Sequence, residues 1–378
     1  MFNPSLNFYL RLAWVYTAIC WAVALYFRYH PTKKLGGLGQ PLPNIVSLIL
    51  PIVLFVPFSG LRTDTGDTAF YIHDFELMPA DGKIDIAFGK ETLYPMIADI
   101  VKETSDDAHD LIFITAVISL VPVLVILYKY SHPYDLSIYL FMATGYFGLS
   151  MNGIRQYCAA GILMLGTKYL FSQKKNAIIK YGIIVFIAWM FHESSWIMMF
   201  IFIFARRKAW KPSSFMMLFL TLIVLALSGM VMPAFNEALA ESDSSYSVYG
   251  GDQWNSTEGG SSFIRVIISL VPVVIAYFSR AQIRRIGFIG DVLINIGFVN
   301  AALYIISTYN WIYARLAIYT SVYYIMLLSW VAYNGVQKKD RGLYYTVCVI
   351  MYYYYSTFLN YGIVNYISDR YFPGRKLF

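Results

Sequence analysis

Long apolar runs, separated by short polar and charged clusters, dominate the chain. A transmembrane helix needs about 20 mostly apolar residues, and several of these runs approach that length. The runs lie near residues 7–27, 44–59, 111–128, 136–150, 153–171, 177–190, 193–205, 213–233, 263–279, 288–308, 312–331 and 343–361. The pattern predicts an all-α polytopic membrane protein, in which residues 1–378 form a single bundle of about twelve transmembrane or half-spanning helices.

Polar residues interrupt these runs at places that predict broken helices. Arg155 divides two short runs, and His192 lies at the boundary between two others. Each pair could form half-helices or a re-entrant segment. The first run carries Arg11 near its start and no small-residue cleavage pattern after it, so we expect a retained span rather than a signal peptide.

Composition agrees with a membrane environment. The 378 residues are 58% hydrophobic and 13% charged, whereas soluble proteins carry roughly 25% charged residues. The net charge of +7 is better explained by lysines and arginines that anchor helix ends than by nucleic-acid binding. Cys20, Cys158 and Cys348 lie inside apolar runs without metal-like spacing, and we expect them to be packing residues.

The lysines and arginines also predict the orientation of the helices. Basic clusters occur at Arg28/Lys33/Lys34, Lys129, Lys174/Lys175/Lys180, Arg206/Arg207/Lys208/Lys211, Arg280/Arg284/Arg285 and Lys338/Lys339/Arg341. Placing all of them in the cytoplasm makes the connecting segments alternate consistently, and it puts both termini outside.

Two longer segments then lie on the outer side. Residues 60–110 are rich in Asp and Glu, and the helical spacing of Leu93, Ile97 and Val101 predicts helical content in this loop. Residues 234–262 are acidic and rich in Gly and Ser, which predicts a flexible loop.

Several ionisable residues fall at the outer ends of the apolar runs. Such a group at membrane depth costs about 2.5–3.5 kcal/mol on insertion scales, and it usually faces a polar cavity. The group comprises Arg62, Asp64, Asp67, Glu91, Arg155, His192, Glu193, Arg265 and Arg315, with Tyr94 and Gln156 beside them. Arg11 and Arg265 lie near span ends and fit interfacial anchors that snorkel, whereas Arg155 and Arg315 fit that interpretation less well.

Three of these residues have purely structural alternatives. A helical turn would place Asp64 and Asp67 on one face behind Arg62, but these aspartates could equally cap a loop helix and be solvated. His192 has apolar neighbours on both sides, so a satisfied core histidine is the alternative to a functional one.

Arginines, a histidine and carboxylates at this depth suit chemistry on a lipid pyrophosphate. Guanidinium forks bind phosphate oxygens in a bidentate manner, and a carboxylate or a histidine can take a proton from an attacking hydroxyl. The combination predicts glycosyl transfer from a polyprenyl-pyrophosphate donor. Because arginines can neutralise the pyrophosphate, we expect no metal and no other cofactor.

Five short motifs resemble the EpsG family of Wzy-like polysaccharide polymerases. They are RTDTGD followed by Tyr71, ETLY, GIRQYCAAGI, AWMFHESSWIM and YARLAIY, spread over roughly residues 50–330. The resemblance implies a fold related to the GT-C glycosyltransferases. It also implies an enzyme of the bacterial inner (cytoplasmic) membrane that joins undecaprenyl-pyrophosphate-linked oligosaccharide units on the periplasmic or extracellular side.

The same resemblance implies site residues. The family pattern points to Arg62, Asp67, Glu91, Arg155, Gln156, His192 and Arg315. We expect the catalytic residues to be His192, Asp67 and Glu91. We expect the substrate- and pyrophosphate-binding residues to be Arg62, Asp64, Arg155, Gln156, Arg315, Glu193 and Tyr94. Glu193 departs from the family pattern, in which a small or apolar residue is usual, so it either adds a carboxylate to the site or faces away.

The expected partners are the lipid-linked oligosaccharide and membrane lipid, with a chain-length regulator and a flippase as further candidates and no nucleic acid. Two other functions remain as alternatives. A flippase or transporter for lipid-linked oligosaccharides would also use arginines in a central cavity, although such proteins usually have internal repeats, and the sequence has none that we find. A membrane O-acyltransferase could use His192 as its base, although that class prefers a cytoplasmic or channel-lining histidine.

Overall fold

The computed structural model describes residues 8–80, 82, 84, 86, 88–227, 237 and 260–359. Within these residues the regular secondary structure is helical, and the one β contact that joins two described residues is an isolated bridge between Leu35 and Pro41. Nearly all of the predicted flexible loop, residues 234–262, lies outside the described part of the chain.

The helices follow the apolar runs along the chain. They are α1 (Phe8–Tyr29), α2 (Val46–Gly60), α3 (Thr68–Leu77), α4 (Leu93–Thr104), α5 (Ala108–Tyr130), α6 (Tyr134–Ala143), α7 (Tyr146–Leu149), α8 (Ile154–Leu165), α9 (Thr167–Leu170), α10 (Ala177–Trp189), α11 (Ile197–Ala205), α12 (Pro212–Ala226), α13 (Phe263–Phe278), α14 (Arg280–Ile283), α15 (Gly287–Ile306), α16 (Ile318–Asn334) and α17 (Arg341–Tyr354). Among the described residues, the 3₁₀ segments Glu193–Trp196, Arg284–Ile286 and Trp311–Ala317 lead into α11, α15 and α16.

Four helical stretches in the described residues are long and apolar enough to cross a membrane: Phe8–Tyr29, Ala108–Tyr130, Arg280–Ile306 and Trp311–Asn334. Six shorter apolar helices of 10–17 residues accompany them. The helices agree with the predicted all-α polytopic membrane protein, but the expected number of about twelve transmembrane or half-spanning helices is not confirmed. The shorter helices fit the expectation of half-spanning elements.

Side-chain caps explain where several helices begin. Asp107 accepts a hydrogen bond from the backbone N–H of His109 at the start of α5. Ser262 accepts one from Ile264 at the start of α13. Each cap satisfies one of the N–H groups that have no partner inside the helix.

A glycine allows two central helices to pack closely. A Cβ atom on Gly161 of α8 would lie 2.2 Å from the carbonyl oxygen of Ile118 in α5. Small residues at helix interfaces let backbones approach in this way, which matters in a bilayer because dispersion forces supply much of the association energy.

The basic clusters meet at one end of the bundle. Gly37, in the segment after α1, donates its N–H to the carbonyl oxygen of Lys129 at 2.7 Å. The Asn334 amide nitrogen, at the end of α16, donates to the carbonyl oxygen of His132 at 3.2 Å. The predicted site residues lie at the other end, where α2 ends and where α5, α8 and α16 begin. The basic clusters and the predicted site residues thus lie at opposite ends of the bundle, as the distribution of lysines and arginines in the sequence predicts.

Both predicted helix interruptions are present at the second end. Helix α8 starts after Gly153, whose φ of +78° lies in the left-handed region that favours glycine. Helix α10 ends at Trp189, and His192 precedes the 3₁₀ turn before α11. The predicted loop helix forms α4, and its residues Ala98 and Val101 pack in a small core with Phe75 of α3.

Candidate functional site

Glu91 connects the first outer loop to the interrupted helix pair α10/α11. Its Oε2 accepts a hydrogen bond from Arg155 Nη1 at 3.1 Å, and its Oε1 accepts one from the backbone N–H of Glu193 at 3.0 Å. Its own N–H donates to the carbonyl oxygen of Trp189 at 3.3 Å. Glu91 has a φ of +57°, which is uncommon for a residue other than glycine. Strain of this kind persists only where surrounding contacts hold the residue, and here both backbone and side chain are held.

Arg155 is charge-paired but partly accessible. Its side chain is 37% exposed, whereas that of its partner Glu91 is 11% exposed. The guanidinium also donates to the hydroxyl of Tyr71, whose ring lies 5.2 Å from that of Tyr94. Burial raises the pKa of Tyr71 to about 12, so that this phenol stays neutral. The pair of tyrosines therefore supports Arg155 from the side of the outer loop.

His192 is held with one ring nitrogen as an acceptor. Its Nδ1 accepts from the backbone N–H of Ser194 at 3.3 Å and lies 3.1 Å from the Ser194 hydroxyl. The same nitrogen lies 3.7 Å from Glu91 Oε1, which is too long for a hydrogen bond. Burial lowers the pKa of His192 and outweighs the opposing effect of Glu91. A neutral imidazole that accepts at Nδ1 carries its hydrogen on Nε2, so Nε2 is a donor.

Gln156 links the elements that carry His192 and Arg315. The residue is 1% exposed. Its Nε2 donates to the carbonyl oxygen of Arg315 at 3.0 Å and to the Ser194 hydroxyl at 3.4 Å. The Ser194 hydroxyl in turn lies 2.8 Å from that of Tyr319. One buried amide thus ties helix α8 to both 3₁₀ segments at this end of the bundle.

Asp67 has one satisfied and one unsatisfied carboxylate oxygen. Its Oδ2 accepts the backbone N–H of Gly153 at 2.8 Å. Its Oδ1 is buried and makes no hydrogen bond with any described residue. Burial raises the pKa of this carboxyl, although Gly153, Arg62 and Arg315 oppose the shift. An orphaned acceptor of this type calls for a functional or ligand-based explanation.

Arg62 and Asp64 have different surroundings from the other predicted residues. Arg62 is 1% exposed. Its Nε donates to the Thr68 hydroxyl at 2.7 Å, and its Nη1 donates to the Ser59 hydroxyl at 3.0 Å. It therefore holds the turn between α2 and α3. Asp64 is exposed, and because α3 starts only at Thr68, Asp64 and Asp67 do not share a helical face. Of the two alternatives, the shared helical face is not formed, because both aspartates precede the first turn of α3.

Glu193 and Lys90 form a second ion pair beside the first. Lys90 Nζ lies 3.3 Å from Glu193 Oε2. The Glu193 side chain is therefore paired at the rim of the cluster. Together with Glu91 and Arg155, these residues form a charge-balanced set.

A cavity of about 200 Å³ adjoins this polar cluster. Arg265 and Arg315 line it, together with the amide side chains of Asn152, Gln156 and Asn300. Half of the remaining lining residues are aromatic: Tyr146, Tyr157, Tyr304, Trp311, Tyr324, Tyr352 and Tyr355. Gln156 faces the cavity and also contacts the Ser194–His192 side, so the cavity and the cluster share a wall.

Sequence reasoning missed part of this cavity. Arg265 fits an anchor near a span end, yet it lines the cavity and hydrogen-bonds Tyr355. Tyr352 belongs to the tyrosine-rich run YYTVCVIMYYYYSTF, residues 344–358, whose pattern by itself favours a packing role. The available signal for Arg265 was its predicted position at the same membrane face as Arg315. Tyr352 gave no signal, because buried and cavity-lining tyrosines have the same pattern along a helix.

Comparison with known proteins identifies a family. A family model described as the EpsG family matches residues 45–373. No curated protein and no solved structure matches the chain significantly.

Proposed function

The chain belongs to the EpsG family of Wzy-like polysaccharide polymerases, and from this premise we propose that it joins lipid-linked oligosaccharide repeat units into a polysaccharide. The donor is a growing chain on undecaprenyl pyrophosphate. The acceptor is the non-reducing-end hydroxyl of a new lipid-linked unit. The reaction takes place at the outer face of the bacterial cytoplasmic membrane, in a bundle related to the GT-C glycosyltransferases.

The observation that carries the proposal is the shared wall between a two-arginine cavity and a carboxylate–histidine cluster. Arg265 and Arg315 supply two positive charges inside a cavity that no aspartate or glutamate lines among the described residues. Guanidinium groups suit a pyrophosphate because their forked N–H donors match its oxygens. They also stabilise the negative charge that develops on the pyrophosphate as it leaves the donor sugar. The aromatic and amide wall suits sugar rings, because ligand sites combine apolar surface with a few polar groups.

The reaction requires one proton acceptor. The acceptor oxygen forms a bond to the anomeric carbon of the donor, the bond from that carbon to the pyrophosphate oxygen breaks, and polyprenyl pyrophosphate leaves with the electron pair. The hydroxyl proton passes to a base. We assign the base to Asp67, because its Oδ1 has no hydrogen-bond partner among the described residues and burial raises its pKa.

The other two expected catalytic residues have different roles in this proposal. His192 donates through Nε2 to a sugar or phosphate oxygen, because Nδ1 is already an acceptor. Glu91 positions Arg155 and the α10/α11 break, since both of its oxygens are engaged. Arg155 then uses its exposed edge to guide the incoming anionic substrate.

The test is reconstitution of the purified protein in bilayers with lipid-linked units of uniform length. Formation of a product ladder, with one polyprenyl pyrophosphate released for each new glycosidic bond, supports the proposal. Arg315→Ala should abolish the ladder. Arg280→Ala, which removes an arginine at the opposite end of the bundle, is the matched control and should leave the ladder unchanged. Movement of units across the bilayer without new bonds would identify a flippase instead, and acyl transfer to the sugar would identify an O-acyltransferase.

A further inference from the structure

A second, smaller cavity lies at the opposite end of the bundle from the candidate site. Its volume is about 100 Å³, and its polar wall comes from Gln40, His132, Arg285, Asn334 and Arg341. Helix α16 starts beside Arg315 and ends at Asn334 after 17 residues, which corresponds to about 25 Å. The two cavities are therefore separate sites.

The amide side chains build the wall of this second cavity. The Asn334 amide nitrogen donates to the carbonyl oxygen of His132 at 3.2 Å. Gln40 Nε2 donates to the carbonyl oxygens of Lys129 at 3.3 Å and Ser131 at 3.4 Å. These contacts fix the turn between α5 and α6, and they use amide donors that a ligand would otherwise bind.

The arginines, in contrast, retain binding capacity. Arg341 packs its guanidinium over the Tyr333 ring at 5.1 Å. Its Nε is buried and makes no hydrogen bond with any residue that the structure describes. Arg285 enters from the segment between α14 and α15 and is exposed. A buried guanidinium N–H without an acceptor is costly, so an acceptor from outside the described chain would relieve it.

The charge around this cavity is not balanced by a carboxylate. Among the described residues, no Asp or Glu lines the cavity. The neighbouring Asp135 is already paired with Arg28 at 3.0 Å. Burial, together with the charges of Arg28 and Arg341, lowers the pKa of His132 to about 4, so this imidazole stays neutral in a positive potential. The charges that line the cavity thus favour an anion over a cation.

We propose that this second cavity binds a phosphate group through Arg285 and Arg341. Phosphate suits the site because two guanidinium groups from different elements can converge on its several oxygens. The phosphate comes either from the headgroup of an anionic phospholipid or from free phosphate. Basic pockets between transmembrane helices bind acidic lipid headgroups by the same chemistry. The proposal is independent of the reaction at the other end of the bundle.

The test measures ligand-dependent stabilisation of the purified full-length protein in an uncharged detergent. Thermal unfolding is followed with phosphatidylglycerol, with diacylglycerol of the same acyl chains, and with inorganic phosphate. We expect phosphatidylglycerol to raise the Tm and diacylglycerol to have no effect. Arg341→Gln and Arg285→Gln should each weaken the apparent affinity for the phosphate ligand at least tenfold. Arg284→Gln is the matched control, because Arg284 is the adjacent exposed arginine and does not line the cavity.

Each outcome decides the proposal. Stabilisation by phosphatidylglycerol alone, lost in the cavity variants, supports a lipid headgroup site. Equal stabilisation by inorganic phosphate, lost in the same variants, supports a site for free phosphate. Arg285→Gln decides the question even if Arg341→Gln unfolds the protein by losing its stacking on Tyr333. The proposal is overturned if no phosphate ligand stabilises the protein or if Arg284→Gln weakens binding as much as Arg285→Gln does.

Discussion

Replacement of Asp67 by asparagine tests the proposed base most directly. In the structure, Asp67 Oδ2 accepts a hydrogen bond from the Gly153 N–H at 2.8 Å. Asparagine has the same shape and keeps an oxygen that can accept this hydrogen bond. The substitution removes the ability to take a proton. A positioned general base contributes about 10²–10⁴-fold to a rate, which corresponds to roughly 2.7–5.4 kcal/mol of transition-state stabilisation. We therefore expect the polymerisation rate to fall by at least a hundredfold.

The same substitution should not damage the fold. Because burial raises the pKa of Asp67, the folded protein favours the neutral carboxyl more than the unfolded chain does. The contribution of this group to stability is then largest below its unfolded pKa of about 3.9 and is lost as pH rises through the folded pKa. At pH 7 Asp67→Asn should be as stable as the wild type or slightly more stable. The hydrogen bond from Gly153 to residue 67 would lose its charge assistance in this variant, which lowers the stability gain by about 1 kcal/mol.

The assay is the rate of ladder formation against pH, with the Tm measured in parallel. For the wild type, the rate should fall as pH drops through the raised pKa of Asp67. Asp67→Asn should lack both the high rate and this acid limb. Asp74→Asn, an exposed aspartate on α3, is the control and should retain both. A near-normal rate in Asp67→Asn would refute the assignment. The base would then be sought at Glu91 or His192 with Glu91→Gln and His192→Gln.

Three further predictions address the binding cavity, the packing and the topology. Arg265→Lys should lose most polymerisation activity because lysine cannot present a planar fork in the cavity. The control Arg11→Lys, at an exposed position, should have near-normal activity. Equal activity of the two variants would show that Arg265 acts only as a membrane anchor. Gly161→Ala should lower the stability by about 1–3 kcal/mol, because the added Cβ would lie 2.2 Å from a backbone carbonyl oxygen; an unchanged Tm in a thermal melt would contradict this close approach. A cysteine placed at Ser105 should react with a membrane-impermeant thiol reagent in intact cells and one at Gln173 should not, and the opposite labelling pattern would invert the proposed orientation.

Periodicity and composition were sufficient to locate the helices. Within the described residues, each predicted apolar run coincides with a helix or helix pair, because a chain in a bilayer must satisfy its backbone hydrogen bonds internally. The interruptions near Arg155 and His192 were also predictable, since a polar residue inside an apolar run indicates a place where a helix ends. Cys20, Cys158 and Cys348 are buried and form no disulfide, which also follows from their positions inside apolar runs.

The roles of individual charged residues were less predictable. Arg62 and Arg155 both belong to short polar motifs, yet Arg62 bonds inside its own turn while Arg155 pairs with Glu91, which is 64 residues distant. Motif content cannot separate these cases, because the partner of a guanidinium depends on which segments meet in space. Glu193 is a similar case, as only the folded chain places it beside Lys90.

The sequence by itself determined the membrane environment, the positions of the described helices and the two helix breaks. These properties depend on transfer free energies and hydrogen-bonding needs that each segment carries on its own. Tertiary structure alone decided that Arg265 joins Arg315 in one cavity, that Gln156 forms the wall between cavity and cluster, and that Asp67 keeps one oxygen without a partner among the described residues. Such features arise where helices far apart in the chain pack together, and local patterns contain no record of which faces meet.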